Sequence, residues 1–286
     1  MARIDEHLES DLIDLGAASV ETKGPPYLVG EIEGGFPESP SPTNRLAETG
    51  ARIWSARHLP PEAPLMPYQL CEHISFCWAN DRAVFLDLRR DRYFCLSADA
   101  EAIFRALTEA DGEAAPGVER LIPIGIVEPT FTAGLSIPQA CAPRASGSLT
   151  DRPSKSVAFG PLTVAEITWR LHRARMRLKR QPLKDVLTHL RRVKLARSPV
   201  QPSSGGPCEH LARQFNAVRR QTPFAASCLP DALAMLDLLA ARRIYPTLIL
   251  GVRLDPFAAH CWVQSGDIVL NDTLDSTIAH TPILIV

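Results

Sequence analysis

The chain has 286 residues, with 31 lysines and arginines against 32 aspartates and glutamates. This length suits one large domain or two small ones, and the balanced charge predicts no nucleic-acid partner. The seven cysteines are odd in number, irregularly spaced and without a CxxC pair, which argues against a disulfide scaffold or a zinc site. The sequence has no secretion signal and no apolar run of the roughly 20 residues that a membrane span needs, so we expect a cytoplasmic protein.

The N-terminal segment, residues 1–66, has the composition of a disordered tail. Many prolines and glycines lie between Gly24 and Pro67, where periodic apolar residues are few. Residues 1–50 are also acidic, with ten acidic side chains against three basic ones. We therefore predict disorder here, and a pairing of this negative charge with a positive surface elsewhere.

Residues 67–145 are predicted to form a small α+β module. Three short strands joined by turns are predicted at His73–Trp78, Ala83–Leu88 and Tyr93–Leu96. Ser97 is a suitable N-cap for a helix that follows the third strand, and a second helix is predicted around Gly117–Val127. The stretch after this module is rich in Pro, Ser, Gly and Thr, and we predict a linker at residues 146–160.

A basic helical stretch follows the linker. Helical spacing, interrupted at Pro182, runs over residues 162–193, and eleven basic side chains lie between positions 170 and 197. A solvated helix face and a docking surface for an acidic peptide or partner are both open interpretations. The stretch lacks interleaved aromatic residues, which disfavours nucleic acid. If the face binds an acidic leader or partner, charge reversal at Arg173 and Arg177 is expected to weaken that binding.

The last block of the chain, residues 161–286, has the order of a papain-like or transglutaminase-like core. Helices are predicted at Cys208–Arg219 and from Ser227 through Leu239, followed by strands at Thr247–Val252, His260–Val263 and Ile268–Leu270. A helix followed by antiparallel strands is typical of such cores, and the chain as a whole is predicted to be α+β.

Cys228 lies where a helix is predicted to begin. Ser227 is a suitable N-cap, and Pro230 fits the first helical turn. The positive end of the helix dipole lowers the pKa of a thiol there, and backbone N–H groups can stabilise an oxyanion. Cysteine is also a common small core residue, so this position alone does not define a nucleophile.

Two further residues give Cys228 a catalytic context. His260 is predicted on a strand, on the same face as Trp262, with Cys261 on the opposite face. Asp272 follows the next strand, and a hairpin at residues 265–267 would bring it beside His260. The arrangement predicts Cys228 as nucleophile, His260 as its base, and Asp272 as the group that orients the histidine.

These residues stand in motifs that resemble the lasso-peptide B proteins, which are transglutaminase-like cysteine peptidases of bacterial peptide maturation. The motifs are Ser227-Cys-Leu-Pro-x-Ala-Leu-Ala, Leu-Gly-Val-Arg253, Pro-Phe-x-Ala-His260-x-Trp-Val and Asn-Asp272. The resemblance implies a papain/transglutaminase-like peptidase domain over residues 161–286 with the triad Cys228, His260 and Asp272. At the position of Cys261 those proteins often have a small residue, so this chain carries a second thiol near the site.

Residues 67–145 are similar to the leader-recognition element that those proteins carry. The hairpin from Phe85 to Phe94 carries this resemblance, which implies a small winged-helix-like domain that binds a leader peptide as an added strand. An open sheet edge would template such a strand through its unpaired backbone groups. By this resemblance Tyr93, Phe94 and Leu96 lie near the leader, although each could equally be a core residue.

The segment from Asp11 to Gly24 resembles the end of a lasso precursor leader. In such leaders threonine stands two residues before the cut, here Thr22, and cleavage would fall between Lys23 and Gly24. Glu31 would then be the eighth residue of the core peptide and the acceptor for a ring-closing isopeptide bond. We therefore predict a precursor fused to its own maturation protease. The alternatives are a vestigial precursor segment and an extension upstream of the true start.

The resemblance implies partners as well. They are a lasso precursor leader, in cis or in trans, and an asparagine-synthetase-like macrolactam synthetase that uses ATP, whereas the chain itself needs no cofactor or metal. Three functions remain open at this point: a leader peptidase, a non-catalytic leader-binding delivery protein, and a transglutaminase-like acyltransferase. The triad chemistry is shared between hydrolysis and acyl transfer, so the sequence does not separate them.

Overall fold

The computed structural model describes residues 11–21, 67–113, 115–130, 137, 139–152, 157–197 and 206–286. The strands in these ranges are β1 (Leu12–Ala17), β2 (Tyr68–Leu70), β3 (Ile74–Ala79), β4 (Arg82–Asp87), β5 (Arg92–Leu96), β6 (Val127–Pro129), β7 (Gly147–Ser148), β8 (Thr247–Arg253), β9 (Ala258–Ser265), β10 (Ile268–Val269) and β11 (Thr281–Ile285). The α-helices are α1 (Ala18–Glu21), α2 (Ala98–Glu109), α3 (Leu121–Ile124), α4 (Pro161–Arg180), α5 (Leu183–Arg197), α6 (Gly206–Arg219), α7 (Cys228–Ala240) and α8 (Leu274–Ile278). The protein is therefore α+β, and none of these helices is long and apolar enough to cross a membrane.

The first sheet is antiparallel and has the order β1-β5-β4-β3. Its β3–β4 turn is the two-residue loop Asn80–Asp81, and both residues have positive φ, at 47° and 59°. Asparagine and aspartate tolerate this left-handed conformation better than most residues, which favours a tight hairpin. After β5, the Ser97 side chain accepts a hydrogen bond from the backbone N–H of Ala100 and begins α2. The three predicted strands and the capped helix of this region are confirmed.

Three predictions about this half of the chain need correction. Residues 1–66 were predicted to be disordered, yet Leu12–Ala17 form β1, which pairs with β5, because β5 would otherwise be an exposed edge whose backbone groups need partners. Residues 1–10 and 22–66 lie outside the described residues. The helix predicted at Gly117–Val127 is a 3₁₀ turn followed by the short α3, because Gly125 adopts a left-handed φ of 81° that ends the helix. The predicted linker at 146–160 contains β7, which pairs with β10.

The second sheet has the order β11-β8-β9-β10-β7, and β10–β7 is its parallel pair. Helix α7 packs against β9, and α4 packs against α7. The predicted helices and the β8, β9 and β10 strands of this region are confirmed, whereas β11 and α8 were not predicted. Ile283 and Leu284 of β11 are buried, and β11 also contacts β3 of the first sheet.

Both faces of the first sheet are buried. On one face Phe76, Phe85 and Phe94 pack with Phe104 of α2, at ring separations of 4.8 to 6.0 Å, and aromatic pairs of this kind each stabilise by about 1 kcal/mol beyond their area. The other face contributes Val84, Leu86 and Tyr93 to the same apolar cluster that contains α7 and β9. One face of the first sheet therefore packs into the core of the C-terminal region, while the phenylalanine face forms a separate core with α2.

Candidate active site

Cys228 is the first residue of α7, as predicted from Ser227 and Pro230. Ser227 has the extended backbone of an N-cap, but its side chain makes no capping hydrogen bond. The Asp231 carboxylate instead reaches back to the N–H of Ser227, at 3.4 Å. A carboxylate in the first turn also complements the helix dipole.

Two arginines hold the loop that precedes the nucleophile. Arg219 bonds Asp231 at 2.7 Å and Arg175 bonds the other carboxylate oxygen at 3.0 Å. Both guanidinium groups also donate to the carbonyl of Ala225, at 2.9 Å each, and Arg219 reaches the carbonyl of Phe224 at 3.1 Å. These side chains are at most 18% exposed, so the ion pairs are less screened than surface pairs. The network fixes the backbone position of Cys228.

His260 and Asp272 come together as the sequence predicts. His260 lies on β9, and its Nε2 is hydrogen-bonded to Oδ2 of Asp272. This pairing leaves Nδ1 for the hydrogen bond between His260 and Cys228. Cys228, His260 and Asp272 are therefore in one hydrogen-bonded row, which is the order expected of a nucleophile, its base and an orienting carboxylate.

Asp272 is itself held at several points. Its Oδ1 accepts the N–H of Thr273 at 2.7 Å, and its Oδ2 accepts the hydroxyl of Ser276 at 3.5 Å. Its main-chain carbonyl accepts the hydroxyl of Thr150 at 2.5 Å and also that of Ser148 in β7. Ser148 and Thr150 were missed, because they lie in a polar stretch whose composition indicates a linker.

Hydrogen bonds shift the pKa values of Cys228 and His260 in the directions that favour an ion pair. The thiol of Cys261 is hydrogen-bonded to Cys228. This bond and the contact with His260 outweigh burial and lower the pKa of Cys228 to about 6. Burial opposes protonation of His260, but its bonds to Asp272 and Cys228 outweigh this and raise its pKa to about 9. Between these values the pair is thiolate and imidazolium, which is the reactive form of a cysteine nucleophile.

Cys261, which the sequence analysis placed only near the site, is a direct partner of Cys228. Alternation along β9 buries Cys261 among core residues, and the start of α7 lies against it. Burial and the neighbouring Cys228 thiolate raise the pKa of Cys261 well above its usual range. The Cys261 thiol therefore stays protonated and donates a hydrogen bond to Cys228.

The other side of His260 is packed by aromatic rings. The ring of Trp262 lies 6.3 Å from that of His260, and the ring of His280 lies 5.3 Å from it. Gly251, opposite His260 on β8, makes room for these rings. A Cβ at Gly251 would lie 2.9 Å from the Trp262 ring and 3.0 Å from the Cβ of His280.

The residues predicted to lie near a leader are all on β5. Tyr93, Phe94 and Leu96 pair with Gly16, Asp14 and Leu12 of β1. Their own side chains are buried in the two hydrophobic cores. They therefore meet the N-terminal segment through their backbone, while their side chains hold the fold. Thr22, Lys23, Gly24 and Glu31 lie outside the described residues.

The basic stretch is divided between internal ion pairs and a solvent-facing groove. Arg170 bonds Glu166 and Asp237 at 2.8 and 2.7 Å, so like Arg175 it acts within the fold. Arg173, Arg177 and His189 line a groove of about 330 Å³ between α4, α5 and α7. The expectation that this face meets an acidic partner stays a prediction.

Comparison with known proteins agrees with this geometry. Residues 162–284 match the transglutaminase-like superfamily, so the C-terminal part carries a transglutaminase-like domain. Residues 1–38 match the family described as lasso peptide subterisin. A curated relative is the microcin J25-processing protein McjB of Escherichia coli, which is 35% identical over 68 residues. The matched region is 22% of this chain and 33% of the relative, so the chain spans about a third of the length of the curated relative it matches.

No solved structure matches the chain. The matches confirm the resemblance to the lasso-peptide B proteins and to a lasso precursor at the N-terminus.

Proposed function

We propose that the chain is a leader peptidase of lasso-peptide maturation, and that it carries its own precursor-like segment in cis. The observation that carries this proposal is the hydrogen-bonded row of Cys228, His260 and Asp272 at the start of a helix. Two further observations support it. The sequence match to a lasso peptide covers β1, and β1 is an added strand at the edge of the small sheet. The small sheet with α2 would be the winged-helix-like leader-recognition element.

The chemistry follows from the ionised pair. The Cys228 thiolate attacks the carbonyl carbon of Lys23, and the imidazolium of His260 gives its proton to the Gly24 nitrogen as the peptide bond breaks. The leader is then a thioester on Cys228, and the core peptide leaves with a free amine. Neutral His260 takes a proton from water, the hydroxide oxygen attacks the thioester, and the leader is released as a carboxylic acid. Asp272 keeps the imidazole in one orientation throughout.

A backbone N–H at the start of α7 would stabilise the oxyanion of each tetrahedral intermediate. The released Gly24 amine is the group that an ATP-dependent macrolactam synthetase would join to Glu31. With this division of labour the proposed peptidase would need neither ATP nor a metal of its own.

The test is the intact mass of the purified chain, alone and with its synthetase and ATP. Wild type is expected to lose residues 1–23, and Cys228→Ala is expected to stay whole. Cys141→Ala is the matched control, because Cys141 is an exposed free cysteine outside the site. Cleavage that persists in Cys228→Ala would refute the proposal. A cross-linked product that has lost ammonia would instead indicate an acyltransferase, and intact binding without cleavage a delivery protein.

A further inference from the structure

We infer that Arg120 and Asp91 set the register of the leader strand and so determine which peptide bond is cut. This inference rests on the proposed leader peptidase function. The two residues form polar clamps at opposite ends of β1, and the bound sequence that they select is Asp-x6-Ala-Ser, here Asp11 to Ser19.

The first clamp holds Asp11, just before β1. Nη2 of Arg120 lies 3.0 Å from each carboxylate oxygen of Asp11, and the Ser97 hydroxyl donates to Oδ1 at 3.0 Å. The N–H of Ser97 also donates to the main-chain carbonyl of Asp11, at 2.9 Å. The Asp11 side chain is 14% exposed, so a neutral or basic residue in its place would leave these donors without their charged acceptor.

The second clamp holds the two residues after β1. Asp91, in the β4–β5 turn, has a left-handed φ of 54°. Its main-chain carbonyl accepts the N–H of Ala18 at 2.9 Å, and its carboxylate accepts both the N–H of Ser19, at 3.0 Å, and the Ser19 hydroxyl. The side chain of Ala18 is fully buried, so a charged residue in its place would lose its contact with water.

Register needs such clamps because the ladder between β1 and β5 does not define it. Backbone hydrogen bonds are the same for any sequence, and the ladder is already irregular between Asp14 and Gly16. A slip by one residue would move the chain by about 3.3 Å and exchange the faces of its side chains. The clamps forbid this slip, since a shift by one residue in either direction would offer neither a carboxylate to Arg120 nor a hydroxyl to Asp91. A shift by three would offer Asp14 and Thr22, but it would place Glu21 at the buried position of Ala18.

Register in turn sets the cleavage position. Helix α1, which follows β1, contacts β9, the strand that carries His260. Lys23 is four positions after Ser19, and such a segment spans at most about 14 Å. With Ser19 fixed, the number of residues after it decides which carbonyl can reach Cys228.

The experiment uses the full-length chain with the substitutions Asp11→Asn, Arg120→Ala and Ser19→Ala. Arg89→Ala is the matched control, because the exposed Arg89 side chain lies outside both clamps. Hydrogen exchange of the amides of residues 12–17 is measured in a Cys228→Ala background, where the leader stays attached. Cleavage is measured by mass with Cys228 present, as the rate and as the share of products cut at bonds next to Lys23–Gly24.

Each clamp variant is expected to speed exchange of these amides by about threefold to tenfold, as the loss of a partly screened charged hydrogen bond implies. Cleavage is expected to slow and to spread to neighbouring bonds. The charge swap Asp11→Arg with Arg120→Asp is expected to recover part of the protection, which a variant that merely misfolds cannot do. Clamp variants that match Arg89→Ala in both exchange and cleavage position would overturn the inference. Faster exchange in a chain that is never cleaved would support the clamps and refute the peptidase function.

Discussion

Replacing Cys261 with alanine tests the electrostatics of the site most directly. The hydrogen bond from Cys261 is the largest influence that lowers the pKa of Cys228, and neighbouring His260 adds to it. A hydrogen bond to a charged group is worth about 1.5 to 3 kcal/mol, and a thiol is a weak donor, so we take the lower end. At about 1.4 kcal/mol for each pKa unit, Cys261→Ala is expected to raise the pKa of Cys228 from about 6 by roughly one unit.

The assay is alkylation of Cys228 by iodoacetamide as a function of pH, followed by peptide mass. Because the thiolate is the reactive form, the half-maximal pH reports the pKa directly and requires no peptidase activity. Cys261→Ser is the matched control, since its hydroxyl keeps a donor in the same place and is expected to leave the profile near that of wild type. An unchanged profile in Cys261→Ala, or equal shifts in both variants, would refute the reasoning.

Three further predictions concern the triad, its packing and the helix layer. Asp272→Asn is expected to slow leader release by about 10²- to 10⁴-fold. It is also expected to lower the pKa of His260 from about 9, so that the alkaline fall in the cleavage rate begins at a lower pH than in wild type. Gly251→Ala is expected to lower both the melting temperature and the cleavage rate, because its Cβ would lie 2.9 Å from the Trp262 ring. Glu166→Gln is expected to remove about 1 kcal/mol of stability at neutral pH, after discounting for solvent screening, as measured by urea unfolding.

The sign of the last prediction follows from the pKa of Glu166. Hydrogen bonds from Arg242 and Arg170 outweigh burial and lower this pKa from 4.5 to about 2. The carboxylate therefore stabilises the fold above about pH 4.5, and this contribution is lost as the pH falls towards 2. Wild type and Glu166→Gln should converge in stability in that acidic range. A gap that persists at pH 2, an alkaline limb unchanged in Asp272→Asn, or a wild-type melting temperature in Gly251→Ala would each contradict its prediction.

Local signals in the sequence were sufficient to predict several turns and helix starts. The tight turn at Asn80–Asp81, the N-cap Ser97 and the helix start at Cys228 each depend on a few adjacent residues whose backbone preferences are strong. The proximity of Cys228, His260 and Asp272 could also be predicted, because a cysteine at a helix start and a histidine on a following strand are recognisable in the order of residues; their catalytic roles stay a prediction.

Long-range contacts were decided only by the tertiary structure. The six residues of β1 lie in a longer acidic segment whose composition indicates a disordered tail. They form a strand because β5 offers an unpaired edge and because the next residue, Ala18, is buried. Ser148 and Thr150 support Asp272 from more than 120 residues away. Residue order and composition indicate which side chains are candidates for the chemistry. The pairing of strands depends on the packing of distant segments. That packing also decides how the leader-like strand β1 and the residues Cys228, His260 and Asp272 are held.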